Sequence, residues 1–432
     1  MSTNAHAHKR LDFLDAHRGL AVLLMLWMHT ADGWLRPGLK SGGAWNFIRG
    51  LGGLAAPSFL LLAGLSLGLG WGTRAGSGSP RTEIARGLSL VVLGYALRLQ
   101  MWMLDAGGYE RSEAWAGALP LACGYLAAYR GLMAFEQRKS ANARGLGVVA
   151  LALIAAGFAI VAKSVPDRLM PLLRVDVLQA IGGSLVIVSW LGMPLRRRPG
   201  LGVVLAVLVG LATQWLRSWV PGPLPVPLAG YLAQWDVPRG TPVPSLFPLF
   251  PWMAYALLGA GLGIRLGRLG PQDAAGATRL WLRWTVVGAA VAVLCCEPLP
   301  IAHALLAAQP WLLQLIRVGY RAGCVLVLGA LAVALSRPAM PLRNGLFTLG
   351  RASLFVYWVH LEFAFGRVAK PIIHGLGLEL WALGLGVLAV AMTLAAGGWL
   401  ALRSALRART ERTAPRPNAS TEVRSGAVGD SP

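Results

Sequence analysis

The chain has 432 residues, of which 56% are hydrophobic and 13% charged, and its mean hydropathy is +0.57. Because soluble proteins carry about 25% charged residues, this composition excludes a water-soluble enzyme, a disulfide scaffold and a largely disordered chain. The excess of 40 Lys and Arg over 18 Asp and Glu reflects membrane topology rather than a nucleic-acid partner, since the basic residues lie in short loops between apolar runs. We therefore expect an all-α, polytopic transmembrane helical bundle that binds no nucleic acid.

Apolar stretches of about 20 residues, the length that crosses a bilayer as a helix, predict ten to twelve spans. The first stretch contains the polar residues His29, Thr30 and Asp32 and no clear small-x-small cleavage site follows it, so we expect a retained helix rather than a signal peptide. The stretches 114–135 and 145–163 are the least regular, and ten spans remain if they form a re-entrant hairpin. The predicted spans are 18–36, 53–72, 84–104, 114–135, 145–163, 175–194, 201–220, 245–265, 281–300, 314–336, 346–366 and 380–403.

The distribution of basic residues predicts how the chain is oriented. Lys and Arg are nearly twice as frequent in the loops on the side of the N-terminus as in the opposite loops, which predicts a cytosolic N-terminus and C-terminus. We expect a cytosolic segment over 1–17, a transmembrane domain over 18–403, and a disordered basic cytosolic tail over 404–432. A bacterial inner (plasma) membrane is the expected location. The four cysteines lie inside apolar runs without the spacing of a metal site, so no metal is predicted.

Ionisable residues in the first predicted helix carry the strongest chemical information. Arg18 and His29 are eleven residues apart, so at about 3.6 residues per turn they share one face, about 16 Å apart along the axis. Asp15 lies one turn before Arg18, and Asp32 one turn after His29. Such residues in a membrane span commonly face a water-filled cavity or a partner. His29 is therefore a candidate general base oriented by Asp32, and Arg18 a candidate phosphate-binding residue; the alternatives are a packing histidine and a cytosolic anchor.

The same residues carry a resemblance to a known superfamily. The sequence LDAHRGLA at 14–21, followed by His29, resembles the Arg…His signature of the acyltransferase-3 branch of membrane acyltransferases. Other stretches are similar to the catalytic domain of the heparan-α-glucosaminide N-acetyltransferase branch. These are APSFLLLAG at 56–64, RVDVLQAIG at 174–182, FPLFPW at 247–252 and LGRASLFVYWVH at 349–360. Loop 33–52, where the lysosomal animal enzyme of this branch places its active histidine, contains none.

The resemblance implies an integral membrane acyltransferase. It would move an acyl group, acetyl by preference, from cytosolic acyl-CoA (acetyl-CoA) to a hydroxyl or amine of a carbohydrate-containing acceptor at the outer face. The implied catalytic residues are His29, Asp32 and Arg18, with Asp15 holding Arg18. The implied partners are acyl-CoA, a glycan or glycolipid acceptor and membrane lipid, and a homo-oligomer is left open.

Two further groups of polar residues are candidates for substrate binding. Ser353, Tyr357 and His360 follow at i, i+4 and i+7 on one helix face, which suits either a substrate cavity or a hydrogen-bonded seam between helices. Arg174, Asp176 and Gln179 precede or begin another helix, where Asp176 acts either as an N-cap or at the outer mouth. The rival function is a proton-coupled transporter or permease that uses His29 and His360.

Overall fold

The computed structural model describes residues 11–73, 79–104, 112–166, 169–220, 222, 224–234, 245–270 and 273–413. These residues form eighteen α-helices joined by short turns, and they contain no β-strand. The helices are α1 Asp12–Trp34, α2 Gly42–Gly52, α3 Ala55–Thr73, α4 Pro80–Leu104, α5 Ser112–Glu136, α6 Ser140–Ser164, α7 Leu169–Leu173, α8 Val177–Trp190, α9 Gly192–Arg197, α10 Leu201–Trp219, α11 Val226–Leu232, α12 Leu249–Arg268, α13 Ala274–Leu294, α14 Pro300–Ala308, α15 Leu313–Leu335, α16 Arg343–Arg351, α17 Ser353–Ala364 and α18 Leu378–Thr413.

Nine helical stretches in the described part of the chain are long and apolar enough to cross a membrane. One of them joins α2 and α3, and the others are α4, α5, α6, α10, α12, α13, α15 and α18. Each of the twelve predicted spans coincides with one helix or with a divided pair of helices. The predicted all-α, polytopic membrane fold is confirmed.

The predicted spans outside these nine are those that hold the candidate site residues. Helix α1 has sufficient length, but Asp15, Arg18 and Asp32 make it too polar. Helix α8 has only 14 residues. The predicted span 346–366 is divided at Ala352, where the backbone leaves the helical region between α16 and α17. Polar groups inside a bilayer are energetically costly. These three segments accordingly differ from the nine apolar helices in polarity, length or continuity.

The two least regular stretches form full-length helices rather than a re-entrant hairpin. Helices α5 and α6 have 25 residues each and pack along one another. A Cβ at Gly124 would meet Ile154, so the absence of a side chain there permits this approach. Leu121 and Val161 are fully buried in a small apolar cluster of their own, which α4 connects to the rest of the bundle.

Helices α3 and α12 pack backbone against backbone. A Cβ at Gly64 would lie 2.0 Å from the carbonyl oxygen of Ala256, and one at Gly259 would lie 2.0 Å from that of Leu61. Small residues four apart are the usual device for close helix packing in membranes. The glycines of this seam are Gly64, Gly68 and Gly72 on α3 and Gly259, Gly263 and Gly267 on α12.

Helix α1 runs through the middle of the bundle, between α3, α15, α16 and α17. Its residues Val22 and Leu26 are fully buried. Gly19 lies against the backbone of Leu346 in α16, and Gly33 lies against that of Ala364 in α17. These close contacts fix the register of α1 against the divided pair α16–α17, and thereby place the polar residues of the two segments opposite each other.

The last helix is longer than the apolar pattern predicts. Helix α18 extends to Thr413, so the first ten residues of the predicted disordered tail are helical. Residues 414–432 of that tail, and residues 1–10 of the predicted N-terminal segment, lie outside the described residues. The extension carries Arg403 and Arg407 one turn apart, beyond the apolar part of the helix.

Candidate active site

Two histidines from distant parts of the sequence meet at the centre of the bundle. The Nδ1 atom of His29 on α1 lies 2.7 Å from the Nε2 atom of His360 on α17. The two rings are nearly parallel, with an interplanar angle of 6°. His360 is fully buried, whereas His29 is partly exposed. Of the two, His29 is therefore the imidazole that a substrate can reach.

The hydrogen bonds of this pair define its proton arrangement. The Nδ1 atom of His360 lies 2.8 Å from the carbonyl oxygen of Val356, and because a carbonyl only accepts, His360 Nδ1 donates. In the neutral ring the Nε2 atom then carries a lone pair and accepts the Nδ1 proton of His29. The remaining nitrogen of His29, Nε2, is left without a proton, which is the form that a general base requires.

Asp32 lies near His29, but among the described residues no hydrogen bond joins its carboxylate to the His29 ring. Its carboxylate interacts electrostatically with His29, Lys40 and Arg49, and its backbone carbonyl accepts a hydrogen bond from Lys40 Nζ. The orienting contact predicted for Asp32 is instead made by His360. Asp32 is thus placed to stabilise a protonated His29 through space.

At the other end of α1, one buried carboxylate holds two arginines. Arg18 Nη1 donates to Asp15 Oδ1 at 3.2 Å, and Arg351 Nε donates to Asp15 Oδ2 at 3.0 Å. Arg18 Nη2 also donates to the Ser66 hydroxyl at 2.5 Å. Asp15 is 5% exposed, so the two guanidinium groups are fixed in position while parts of them still reach solvent.

These residues border a cavity of about 790 Å³, which we call the arginine vestibule. Four arginines line it: Arg18 from α1, Arg351 from α16, and Arg403 and Arg407 from α18. Asp15 is the carboxylate among the described lining residues. Clefts lined by charge of one sign concentrate counter-ions, and the planar guanidinium group pairs well with phosphate oxygens. The vestibule can therefore hold a polyanion.

An apolar channel of about 170 Å³ continues from the vestibule into the bundle. It shares Arg18, Ser66 and Ser353 with the vestibule, and Tyr357 also lines it. The Tyr357 ring contacts the His360 ring edge to face, with centroids 5.9 Å apart. The apolar wall of the channel consists of Phe59, Leu62, Ala63, Leu90, Val177, Leu178, Ile181 and Leu354. Ser353 and Tyr357 thus line the channel, and Tyr357 joins it to His360 through their ring contact.

The second predicted group, at the start of α8, forms a complete capping box. The Asp176 carboxylate accepts from Val177 N at 2.8 Å, and the Gln179 side chain accepts from Asp176 N at 3.2 Å. The Asp176 charge also acts on His29 and Tyr357. Half-buried Arg174 lies beside Asp176 and Arg98, and its burial together with the charge of Arg98 lowers the pKa of its guanidinium. The group therefore caps α8 and contributes charge near the histidine pair.

Sequence reasoning missed four residues of the vestibule and channel. Arg351 lies two residues before Ser353, the first residue of the predicted polar face, and the sequence pattern assigns Arg403 and Arg407 to the basic end of the chain. Their spacing of four residues, which places both on one face of a continued helix, is the signal that could have identified them. Ser66 carried no signal, because single serines are common in membrane helices. In the described residues no group of three or more His, Cys, Asp and Glu side chains could hold a metal ion.

Comparison with known proteins gives one match. Residues 10–109, which include α1, α3 and α4, match the family model of the heparan-alpha-glucosaminide N-acetyltransferase catalytic domain. No curated protein and no solved structure matches the chain. The match covers Arg18, His29 and Ser66 but not α17 or the end of α18. Over these residues the chain is similar to that catalytic domain, and together with the helical bundle the similarity indicates a membrane acetyltransferase.

Proposed function

We propose that this protein transfers an acetyl group from cytosolic acetyl-CoA to a hydroxyl or amine of a carbohydrate-containing acceptor at the opposite face of a bacterial inner membrane. The observation that carries the proposal is the connection of two sites. The arginine vestibule leads through the apolar channel to Tyr357, and Tyr357 contacts the histidine pair. A donor with a polyanionic end and a reactive end at some distance from it fits this arrangement.

The vestibule supplies the groups that would hold the phosphates of CoA. Arg403 and Arg407 project from α18, and Arg18 and Arg351 are fixed by Asp15. Charge-assisted hydrogen bonds from guanidinium groups to phosphate are among the strong polar contacts in proteins. Ser353 and Tyr357 would line the path of the uncharged acyl-pantetheine arm. In this proposal the thioester lies beyond Tyr357, near the histidine pair.

His29 would act as the general base in a direct transfer. Its Nε2 atom accepts the proton of the acceptor hydroxyl or amine, while its Nδ1–H keeps donating a hydrogen bond to His360 Nε2. The acceptor oxygen or nitrogen forms a bond to the thioester carbonyl carbon, the carbon–sulfur bond breaks, and the CoA thiolate takes the proton back from His29. Asp32 and Asp176 stabilise the imidazolium between the two proton transfers. An acyl group carried on His29 Nε2 is the alternative course.

Radiolabelled acetyl-CoA in sealed proteoliposomes tests this function. With donor on the vestibule side and a crude cell-envelope glycan on the other, acetyl label should become covalently attached to the glycan, and thiol should appear on the donor side. The proton-coupled transporter predicts the reverse: solute uptake that depends on a pH gradient, with no thiol released. Replacing His29 by Ala should abolish labelling, whereas replacing the exposed His303 of α14 by Ala should leave it intact.

A further inference from the structure

A second basic cavity lies at the end of the bundle opposite the vestibule. It has a volume of about 440 Å³, and we call it the outer arginine pocket. Four arginines line it: Arg49 of α2, Arg217 of α10, and Arg317 and Arg321 of α15. None of its described lining residues is acidic. Neither the donor path nor the proton transfer at His29 uses this cavity.

The interior of the pocket has an ordered polar lining. Tyr255 is 1% exposed and Gln314 is 8% exposed. The Arg321 guanidinium lies 5.7 Å from the centre of the Trp252 ring, and Arg317 donates to Glu297 at 2.8 Å. The Trp252 contact restrains the Arg321 guanidinium group, whereas the Arg317–Glu297 pair is solvent-exposed. Preorganised donors lose less entropy on binding an anion than mobile side chains do.

The start of α12 opens the wall of this pocket. Phe250 has non-helical dihedral angles, with φ −97° and ψ 120°, between Pro248 and Pro251. All three residues line the pocket. The two prolines predict such an irregular start, because proline removes a backbone donor and disrupts the preceding turn. The break leaves room for a ligand between α12 and α15.

The outer arginine pocket adjoins the surroundings of His29. Arg49 acts electrostatically on Asp32, which lies one turn from His29. Leu246, which lines the pocket, donates its backbone N–H to the Val175 carbonyl at 3.0 Å. Val175 immediately precedes Asp176, whose charge acts on His29. A molecule seated in the pocket would therefore lie close to the elements that surround the histidine pair.

We infer that the outer arginine pocket binds a phosphate or diphosphate group of the acceptor, and this inference rests on the proposed function. Guanidinium groups bind both carboxylates and phosphates. A phosphate or diphosphate group offers more charge and more acceptor oxygens to several guanidinium groups than a single carboxylate does, also with Glu297 paired to Arg317. The phosphate belongs either to a soluble sugar phosphate or to a lipid-linked sugar diphosphate. Trp252 and the unwound start of α12 lie where a sugar next to that phosphate would pack.

Calorimetry on the full chain in nanodiscs tests the inference by binding alone. The probes are glucose 1-phosphate, inorganic pyrophosphate, geranylgeranyl diphosphate and glucuronate. Because the vestibule also attracts phosphate, titrations are made with CoA at saturation and again in an Arg403→Gln, Arg407→Gln background. We expect the phosphate probes to bind at least about tenfold more tightly than glucuronate. Tighter binding of the prenyl diphosphate than of glucose 1-phosphate identifies a lipid-linked source, and the reverse order a soluble one.

Matched variants locate the binding and separate it from the proposed function. Arg321→Gln should lower the affinity for the phosphate probes about tenfold, and Arg321→Lys should lower it less. Arg279 is an exposed arginine of α13 outside the pocket, so Arg279→Gln should leave the affinity unchanged. Unchanged CoA affinity in Arg321→Gln shows that this variant is folded. Wild-type phosphate affinity in Arg321→Gln, equal binding of glucuronate, or no phosphate binding overturns the inference. Phosphate binding that depends on Arg321 in a protein with no affinity for acetyl-CoA contradicts the proposed function and leaves the pocket standing.

Discussion

At the scale of single residues, the state of His29 depends on a neighbour 331 positions away in the sequence. The Nε2 atom of His360 accepts a hydrogen bond from His29 Nδ1, because the Nδ1 atom of His360 donates to the Val356 carbonyl oxygen. It thereby fixes the ring and the nitrogen that faces the substrate. Its lack of exposure keeps it from touching substrate directly. His360 is in this account a positioning residue, and His29 is the base.

Replacing His360 by Ala should lower kcat for acetyl transfer about a hundredfold, because His29 loses its fixed orientation and its proton acceptor. The KM for acetyl-CoA should stay unchanged, since the vestibule is untouched. His360→Gln, which can accept the same proton through its amide oxygen, should recover part of the rate. Steady-state kinetics in proteoliposomes measures both constants. Wild-type kcat in His360→Ala would exclude this role.

The vestibule arginines are expected to bind the phosphates of the donor. Arg403→Gln and Arg407→Gln should each raise the KM for acetyl-CoA about tenfold, because each loses a charge-assisted contact of about 1.5–3 kcal/mol. Acetyl-pantetheine, which lacks the phosphates, should react equally well with these variants and with wild type. The control is Arg337→Gln, an exposed arginine outside the vestibule. An equal loss with acetyl-pantetheine would mean that the arginines act on folding rather than on the donor.

At the scale of helices, the contact between α3 and α12 supports both sites. Helix α3 supplies Ser66 to the vestibule and the channel, and α12 supplies Trp252 and Tyr255 to the outer arginine pocket. The glycines between them leave no space for a side chain. A substitution at this contact should therefore lower the stability of the bundle first and alter either site only as a consequence.

Gly64→Ala should destabilise the protein by about 1–3 kcal/mol, because its Cβ would lie 2.0 Å from the Ala256 carbonyl oxygen. The measurement is thermal unfolding in detergent, followed by tryptophan fluorescence. Gly386→Ala on α18 is the control, since no atom lies within 4 Å of the added Cβ, and its effect should stay within about 1 kcal/mol. If the two variants unfold at the same temperature, the close packing of α3 and α12 does not limit stability.

The divided pair α16–α17 shows what periodicity in the sequence can and cannot predict. The spacing of Ser353, Tyr357 and His360 indicates one polar face, and in the structure Ser353 and Tyr357 line the channel while Tyr357 contacts His360. No proline marks the break at Ala352, and Gly350, two residues before it, packs against the backbone of α1, so the break follows from the fit of α16 and α17 against α1. This packing places Arg351 within hydrogen-bond distance of Asp15. Such contacts depend on tertiary packing and are not encoded in local spacing.

At the scale of the whole molecule, the predicted orientation places the vestibule in the cytosol and the outer arginine pocket on the other side. Single-cysteine variants test this directly, after Cys123, Cys295, Cys296 and Cys324 are replaced by Ser. Ser404→Cys, in the vestibule, should react with an impermeant maleimide only after cells are permeabilised, and CoA should slow the reaction. His303→Cys, exposed on α14, should react in intact cells. Labelling of Ser404→Cys in intact cells would reverse the orientation.

Composition and apolar length were sufficient to predict the helical membrane fold, because the cost of exposing backbone groups to lipid permits few alternatives. The pairing of Arg18 with Asp15 also follows from local spacing. The contact between His29 and His360 does not, since it joins two helices whose relative position depends on the packing of Gly19 and Gly33. Charge in the last helix was assigned to a tail because Arg403 and Arg407 lie beyond the apolar pattern. Local sequence thus predicted the helices, and tertiary packing determined which polar residues meet.

The central claim is that His29 is the base for acetyl transfer from a donor held at the vestibule, and thiol release tests it most directly. Purified protein in proteoliposomes receives acetyl-CoA and a cell-envelope glycan, and wild type is compared with His29→Ala and Arg18→Ala. The account predicts that His29→Ala lowers kcat by about a hundredfold or more at unchanged KM, while Arg18→Ala raises the KM for acetyl-CoA. Thiol release at the wild-type rate in His29→Ala would contradict the account.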